Sequence, residues 1–405
     1  MALPSSGALS LDDIQTEFGG TNPIAISEYY GAATGVPASG TISISDFYGT
    51  SAGFPPVTLG YWAGGQGAAQ TNTIRRIQYS NDTVSLRPAT LPSGTSAGVA
   101  LQDTTNAFIV EGRNGPNSPN IPTGGNIMKF QFSNETASNP PATFQGSSGG
   151  LLPSPTNNTE GSFGVSSQSN GYRTGGNPGS SNISVDELSK IVFSTETTSV
   201  SPSSSNLLPI PREFGDSLGT VSTGFLAGGK PQPPFANKPS NPGVTKFTYS
   251  TETYSNVSSA PAIGSIRFEA VSFVDRENDF GYIMGGRKFG TPFPTARSFD
   301  MEKINLTNDT QSDLGDFGPG GPSFSSQFSP FINFEEGAGN FSPSAGYVFF
   351  LNKVYKFPFA NETFDSAPAG TQPPFFAPSP AINPFTPITP SPTSPGYNFA
   401  IPFQV

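Results

Sequence analysis

The chain has 405 residues, 19 basic against 29 acidic side chains, a formal net charge of −10, only 12% charged residues, and neither Cys nor His. Disulfides, thiol nucleophiles, Cys/His zinc sites and His-based triads are therefore excluded, and with no basic run longer than Arg75–Arg76 there is no cationic groove for nucleic acid. No apolar run approaches the about 20 residues that span a bilayer, and the opening Met-Ala-Leu-Pro-Ser-Ser-Gly lacks the features of a secretion signal, so we expect a protein made in a cytoplasm, without cofactor or membrane insertion, whose fold rests on packing alone.

Residues 1–52 differ in character from the rest. Three phrases recur there: Leu9-Ser-Leu-Asp-Asp-Ile14, Ile24-Ala-Ile-Ser-Glu-Tyr29 and Ile42-Ser-Ile-Ser-Asp-Phe47. Each is a short alternating apolar stretch ending in an acid and a large apolar residue, with Ser10 and Ser27 placed to cap single helical turns. The reading is a tiny α/β domain or a partly ordered arm. So small a module buries only about 60% of its surface and is marginal alone. We expect it to need a partner, with Leu11, Ile14, Phe18, Tyr29, Tyr30, Phe47 and Tyr48 as the buried contacts.

From residue 53 onward one eight-residue phrase governs the chain: basic, Ile/Phe, any, aromatic/Leu, small, Asn/Thr, acid, Thr. Its copies read RIQYSNDT, KFQFSNET, KIVFSTET, KFTYSTET, KINLTNDT and KFPFANET, starting at Arg76, Lys129, Lys190, Lys246, Lys303 and Lys356. The acids, Asp82, Glu135, Glu196, Glu252, Asp309 and Glu362, are spaced by 53, 61, 56, 57 and 53 residues. A unit of this size holds four short strands, as in propeller blades of roughly 40–50 residues. Inside the octad, residues two apart such as Ile77 and Tyr79 share one strand face, and the Ser-Asn-Asp-Thr that follows closes a hairpin.

An apolar strand precedes each octad: Gly60–Gly65, Ala107–Gly112, Gly171–Gly176, Gly224–Gly229, Gly281–Gly286 and, without the final glycine pair, Gly346–Leu351. Strands ending in Gly-Gly imply a sharp bend or a close approach of another segment. A further strand leads units two to six, at Gly98–Gln102, Ser162–Ser166, Leu218–Ser222, Phe268–Phe273 and Phe328–Phe334. The first unit lacks it. The last residues, Gly396–Val405, form a strand with no octad after it. A surplus strand at the end and a missing one at the beginning predict ring closure, with Tyr397, Phe399, Ile401 and Phe403 completing blade one. The fold class is all-β: a six-bladed β-propeller over 53–405, closed by the C-terminal strand and preceded by a small N-terminal module over 1–52. An open β-solenoid would leave the terminal strand unexplained.

Sharper readings of these motifs compete with structural ones. The repeated acids could bind Ca²⁺, but each stands alone in a turn, and no metal site is expected. The repeated cations could form an anion-binding ring; pairing with acids across strands, or solvation, is favoured. Asn81, Asn134, Asn308 and Asn361 begin N-x-[ST] patterns, which read as turn chemistry. Trp62 and the strand tyrosines could stack on sugars, but their place before the glycine pair favours blade packing. Phe364–Pro395, with Phe375, Phe376 and Phe385 among many prolines, is too broken for helix or central strand. It reads as a long loop that wraps the fold or binds a partner.

The strand ending in Gly-Gly resembles kelch-like propellers, although the spaced Tyr and Trp of that pattern do not follow it here. The opening LPSSGALSLDDIQTEFGGTNPIAISEYYG resembles an N-terminal module of tail and other virion proteins of tailed bacteriophages. The GYxAGG and FSNDT/FSTET units are similar to repeats of tail-fibre-like proteins from phages that infect cyanobacteria. This resemblance implies a virion component: residues 1–52 anchoring to other virion proteins, the propeller exposed for contact with a host surface glycan or protein, and several copies per particle. The competing classes are a neck, collar or capsid decoration protein that never meets a receptor, and a glycan depolymerase. The last needs two carboxylates about 5–9.5 Å apart. The acids here belong mostly to the repeat, so we expect no catalytic residues.

Overall fold

The computed structural model describes residues 3–4, 6–18, 22–33, 36–37, 39–50, 58–65, 71–110, 125–140, 143–144, 161–177, 186–200, 207–231, 243–257, 267–288, 300–316, 338–350, 353–362, 364 and 401–404. The chain divides into two compact units, Met1–Pro55 and Pro56–Val405.

In the first unit the three recurring phrases become three helical turns: an α-helix at Leu11–Phe18 and 3-10 helices at Ile26–Tyr29 and Ile44–Phe47. No strand forms among the described residues of this unit, so the α/β reading gives way to short helices. The last residue of each phrase (Ile14, Tyr29 and Phe47) is buried in one common core with Leu3 and Val36. Phe18, Tyr29 and Phe47 pack as an aromatic trio with ring centroids 5.8–6.2 Å apart. Ser10 caps as expected, its Oγ accepting the Asp13 N–H while the Asp13 carboxylate accepts the Ser10 N–H. Ser27 does not cap: it lies inside its 3-10 turn, which Ala25 begins. The reciprocal box recurs instead at Ser43 and Asp46, where the acid sits three residues after the serine.

The second unit is a six-bladed β-propeller with antiparallel blades. Blade one consists of Ile401–Gln404, Leu59–Ala63, Thr73–Gln78 and Thr83–Thr90, from the inside outward. Blade two has Val99–Gln102, Asn106–Val110, Gly125–Gln131 and Thr136–Ser138, and blade three Phe163–Ser166, Asn170–Thr174, Leu188–Val192 and Thr197–Val200. Blade four has Asp216–Gly219, Thr223–Ala227, Val244–Thr248 and Thr253–Asn256, and blade five Val271–Asp275, Phe280–Met284, Asp300–Asn305 and Gln311–Asp316. Blade six shows Ala338–Phe341, Ala345–Phe350 and Lys353–Pro358 among the described residues. The six inner strands neighbour one another in cyclic order around a central axis, the last touching the first.

Closure follows the predicted route. The C-terminal strand lies antiparallel to the first strand of blade one, with Gly60 opposite Gln404, Tyr61 opposite Phe403, Trp62 opposite Pro402 and Ala63 opposite Ile401. Tyr397 and Phe399 lie outside the described residues. The inner strands of blades four and five are shifted by two or three residues from the sequence reading. In blade six the inner strand is Ala338–Phe341, whereas the predicted Phe328–Phe334 falls outside the described residues. Short inner strands rich in Gly, Ser and Asn carry little periodic signal, which explains the misplacement.

Each Gly-Gly ends its strand where a neighbouring connection passes. At Gly64, φ is +70° and a Cβ would stand 2.4 Å from the Thr95 carbonyl oxygen, so only glycine fits. The first glycine of the Gly-Tyr pair answers a different need. A Cβ at Gly281 would sit 2.4 Å from Leu218 of blade four, and one at Gly346 would sit 2.3 Å from Phe273 of blade five. This position is the floor on which the preceding blade's inner strand packs. On the opposite side of the blade connections, the N–H of Gly161 donates to Ala97 O, that of Phe214 to Gly161 O, and that of Glu269 to Phe214 O. These bonds stitch blades two to five together along the backbone.

Candidate functional site

The repeated octad builds the seams between blades. Its alternation sends the second residue and the aromatic fourth into the seam core: Ile77 packs with Trp62, Tyr347 and Phe349 between blades six and one, and Phe130 and Phe132 pack with Tyr61 between blades one and two. The acid lies in the turn with left-handed backbone in every copy, φ running from +50° at Glu362 to +63° at Asp309. L-residues pay for that conformation unless something holds them there.

What holds them is the preceding blade. Arg76 of blade one pairs with Glu135 of blade two at 2.8 Å, Lys129 with Glu196 at 2.5 Å, and Lys190 with Glu252 at 2.6 Å. Lys246 pairs with Asp309 at 2.9 Å and Lys303 with Glu362 at 2.5 Å, and Lys356 of blade six returns to Asp82 of blade one at 2.7 Å. Six cations and six acids thus form one circular chain of contacts. The Lys of blades two to six also lies over the aromatic ring at the third position of its own blade's second strand, 5.4–5.9 Å from the centroids of Phe108, Tyr172, Phe225, Tyr282 and Tyr347.

Where that aromatic residue is tyrosine, its hydroxyl donates to the same carboxylate: Tyr61 to Glu135 at 3.1 Å, Tyr172 to Glu252 at 3.1 Å, Tyr282 to Glu362 at 2.9 Å and Tyr347 to Asp82 at 2.6 Å. Burial first, and then the adjoining carboxylate, raise these four phenols well above the ordinary tyrosine range. Blades two and four carry Phe108 and Phe225 there and lack this bond. In the first seam Glu135 also receives Arg87 from the outer strand of blade one.

This geometry decides several sequence readings. The repeated acids face cations rather than one another, and no three His, Cys, Asp or Glu side chains gather to hold a metal among the described residues. The repeated cations are engaged by those acids and form no open anion ring. Asn81, Asn134 and Asn308 accept bonds from the backbone N–H of Thr83, Thr136 and Thr310, closing their own turns. Trp62 and Tyr61, Tyr172, Tyr282 and Tyr347 are fully buried, so their faces serve blade packing. Phe364 is buried on Phe357 with centroids 5.1 Å apart; Phe375, Phe376 and Phe385 lie outside the described residues.

Of the residues expected to dock the N-terminal unit, Ile14, Tyr29 and Phe47 lie in its own core, and Leu11, Phe18 and Tyr48 are partly buried. Tyr30 is exposed, as is Ile44, which the sequence reading did not single out. The same reading missed Arg212. This fully buried side chain stacks on Phe163 at 5.1 Å and donates to Leu226 O and Thr245 Oγ1. It lies between repeats, where no periodicity marks it. No protein-family profile matches the chain, and no curated protein matches its sequence.

Proposed function

We propose that this protein is a structural component of a tailed-phage virion, tail- or fibre-associated, whose N-terminal unit docks onto other particle proteins while its propeller meets the host surface. A rigid, closed propeller is a fold suited to a surface or ligand-binding role, though the fold alone does not define function. The observation that carries the reading is the division into two units of unlike make. The small one has five acids, Asp12, Asp13, Glu17, Glu28 and Asp46, and no Lys or Arg, and it leaves Tyr30 and Ile44 exposed. Apolar side chains among like charges suit a partner surface that is basic at its rim. The resemblance of residues 1–50 to virion modules supplies the setting. In this reading the chain binds and does not catalyse.

Labelled full-length protein incubated with intact host cells should bind them. Virions that require the protein, together with cells that do not bind it, would favour a neck, collar or capsid assembly role. New reducing ends from host polysaccharide would instead establish a depolymerase. Deletion of residues 1–52 should abolish incorporation into particles, and particles that still carry the truncated chain would refute the docking role.

A further inference from the structure

Five of the six inner strands are pinned covalently to their own blades. Turns of only three or four residues join each to its blade's second strand. A side chain at the start of every such turn (Asp103, Ser167, Thr220, Asp275 and Ser342) accepts the backbone N–H three residues on. Blade one differs. Its inner strand, Ile401–Gln404, pairs with Leu59–Ala63 alone, through four opposed residues. It lies beside the inner strands of blades two and six, and no hairpin ties it to blade one.

The floor under that strand is held from elsewhere. The Tyr61 ring packs on Phe130 and Phe132 of blade two with centroids 5.1 and 5.9 Å away, and its hydroxyl donates to Glu135. The Tyr61 carbonyl accepts Asn340 Nδ2 of blade six at 3.1 Å, and Trp62 packs on Phe349 of the same blade. Blades two and six therefore fix both residues through contacts in which the C-terminal strand takes no part, and a site held in its bound shape loses little on binding. The tether is long as well. Between Phe364 and Ile401 lie 36 residues, a contour of up to about 130 Å. A body the size of residues 56–405 has a radius of gyration of only about 20 Å, so the tether reaches a neighbouring molecule's slot as readily as its own.

We propose that the inner edge of Leu59–Ala63 is a strand-acceptor site, and that its further ligand is Ile401–Gln404 of a second copy of this chain, bound antiparallel in the register that the chain's own strand shows. Strand addition of this kind draws affinity from main-chain hydrogen bonds and specificity from alternate side chains. Exchange of an identical element is a low-cost route to association, because every contact it makes is already native. The tethered strand competes at an effective concentration on the order of mM, and copies held within reach of one another on a particle meet at the same order. Exchange then links neighbouring propellers without any new interface. Its setting on a particle rests on the virion reading, whereas the acceptor site is tested on purified protein and stands or falls without it.

The chain has no cysteine, so an engineered pair reports a single contact. Ala63, fully buried, lies opposite Ile401, and directly opposed antiparallel residues have Cα atoms about 4.5–5.5 Å apart, within disulfide reach. Full-length Ala63→Cys and full-length Ile401→Cys are mixed at about 1 mM and treated with oxidised glutathione. A disulfide-linked heterodimer is expected, its yield falling at least tenfold when the mixture is held at about 10 µM. Ala63→Cys mixed with Gln404→Cys, which is out of register because Gln404 lies opposite Gly60, should stay unlinked. A third arm needs no substitution: wild type at about 1 mM should show a dimer on size exclusion that excess synthetic peptide of residues 396–405 suppresses. A mixture without heterodimer, an off-register mixture that links as readily, a wild type that stays monomeric, or a dimer that the peptide leaves unchanged would each overturn the proposal.

Discussion

The contact between Lys356 and Asp82 joins the two ends of the propeller chain, and its removal should be measurable at that seam. Asp82→Asn keeps a residue that tolerates φ of +53° and an oxygen that Tyr347 can still reach, but it discards the charge. The pair is about one-quarter exposed on each side, between the exposed pairs worth about 0.2–1 kcal/mol and the buried ones whose breaking costs about 3–5 kcal/mol. The Tyr347 bond to a charged acceptor falls to a neutral one, a further loss of about 1 kcal/mol. We expect Asp82→Asn to cost about 1–2 kcal/mol. Glu196→Gln is the internal control: its pair with Lys129 is equally exposed, but Phe108 stands where a tyrosine would donate. It should cost about 0.5–1 kcal/mol. Trp62, the single tryptophan, packs on Phe349 in the closing seam with centroids 5.4 Å apart, so its fluorescence during urea unfolding reads this seam directly. A midpoint for Glu196→Gln as low as that for Asp82→Asn would refute the contribution assigned to the phenol.

Gly346→Ala should destabilise the propeller by about 1–3 kcal/mol through overpacking, since its Cβ would meet Phe273 at 2.3 Å; an unchanged thermal midpoint would contradict the close approach. The buried phenols predict a delayed alkaline titration. Unfolded tyrosines ionise near pH 10, whereas Tyr61, Tyr172, Tyr282, Tyr347 and Tyr249 stay protonated in the fold. Each therefore contributes stability that is present below pH 10 and lost as pH rises, by up to about 1.4 kcal/mol per pH unit. The buried guanidiniums of Arg75, Arg173, Arg212 and Arg276, shifted down by burial, act with the opposite sign. The check is therefore phenolate absorbance, which should rise at higher pH in native protein than in guanidinium chloride. Residues 56–405 expressed alone should retain β-sheet circular dichroism and a cooperative melt, and a broad, non-cooperative melt would show that the first unit is needed for the second to fold.

The architecture was legible because one strand-and-turn phrase recurs six times. Counting octads gave the number of blades, and the unmatched strand at the C-terminus gave the closure that Tyr61 opposite Phe403 displays. The octad also exposed its seam residues, Ile77 and Phe130 among them, through simple alternation. What it did not show was partnership. Lys129 and Glu196 stand 67 residues apart, and nothing local says that a cation reaches forward to the next blade rather than across its own hairpin. Inner strands such as Ala338–Phe341 were hard to place because Gly and Asn carry no apolar rhythm. Arg212 was invisible for a related reason: it lies outside the repeat, and only the Phe163 ring, the Leu226 carbonyl and the Thr245 hydroxyl around it give it meaning.

Every cation in the circular chain reaches toward the following blade and every acid is reached from the preceding one, without a reversal at the join. Such head-to-tail polarity means that the junction closed by chain folding is chemically the same kind of junction as those spanned by a covalent connection. Contacts of that type make a ring only when the rotation per sector comes full circle. The bonding rule itself is therefore indifferent to copy number, and the sequence carries six copies of the octad that supplies it. A lineage could add or delete a sector without inventing a new contact, provided the rotation per sector changed to match.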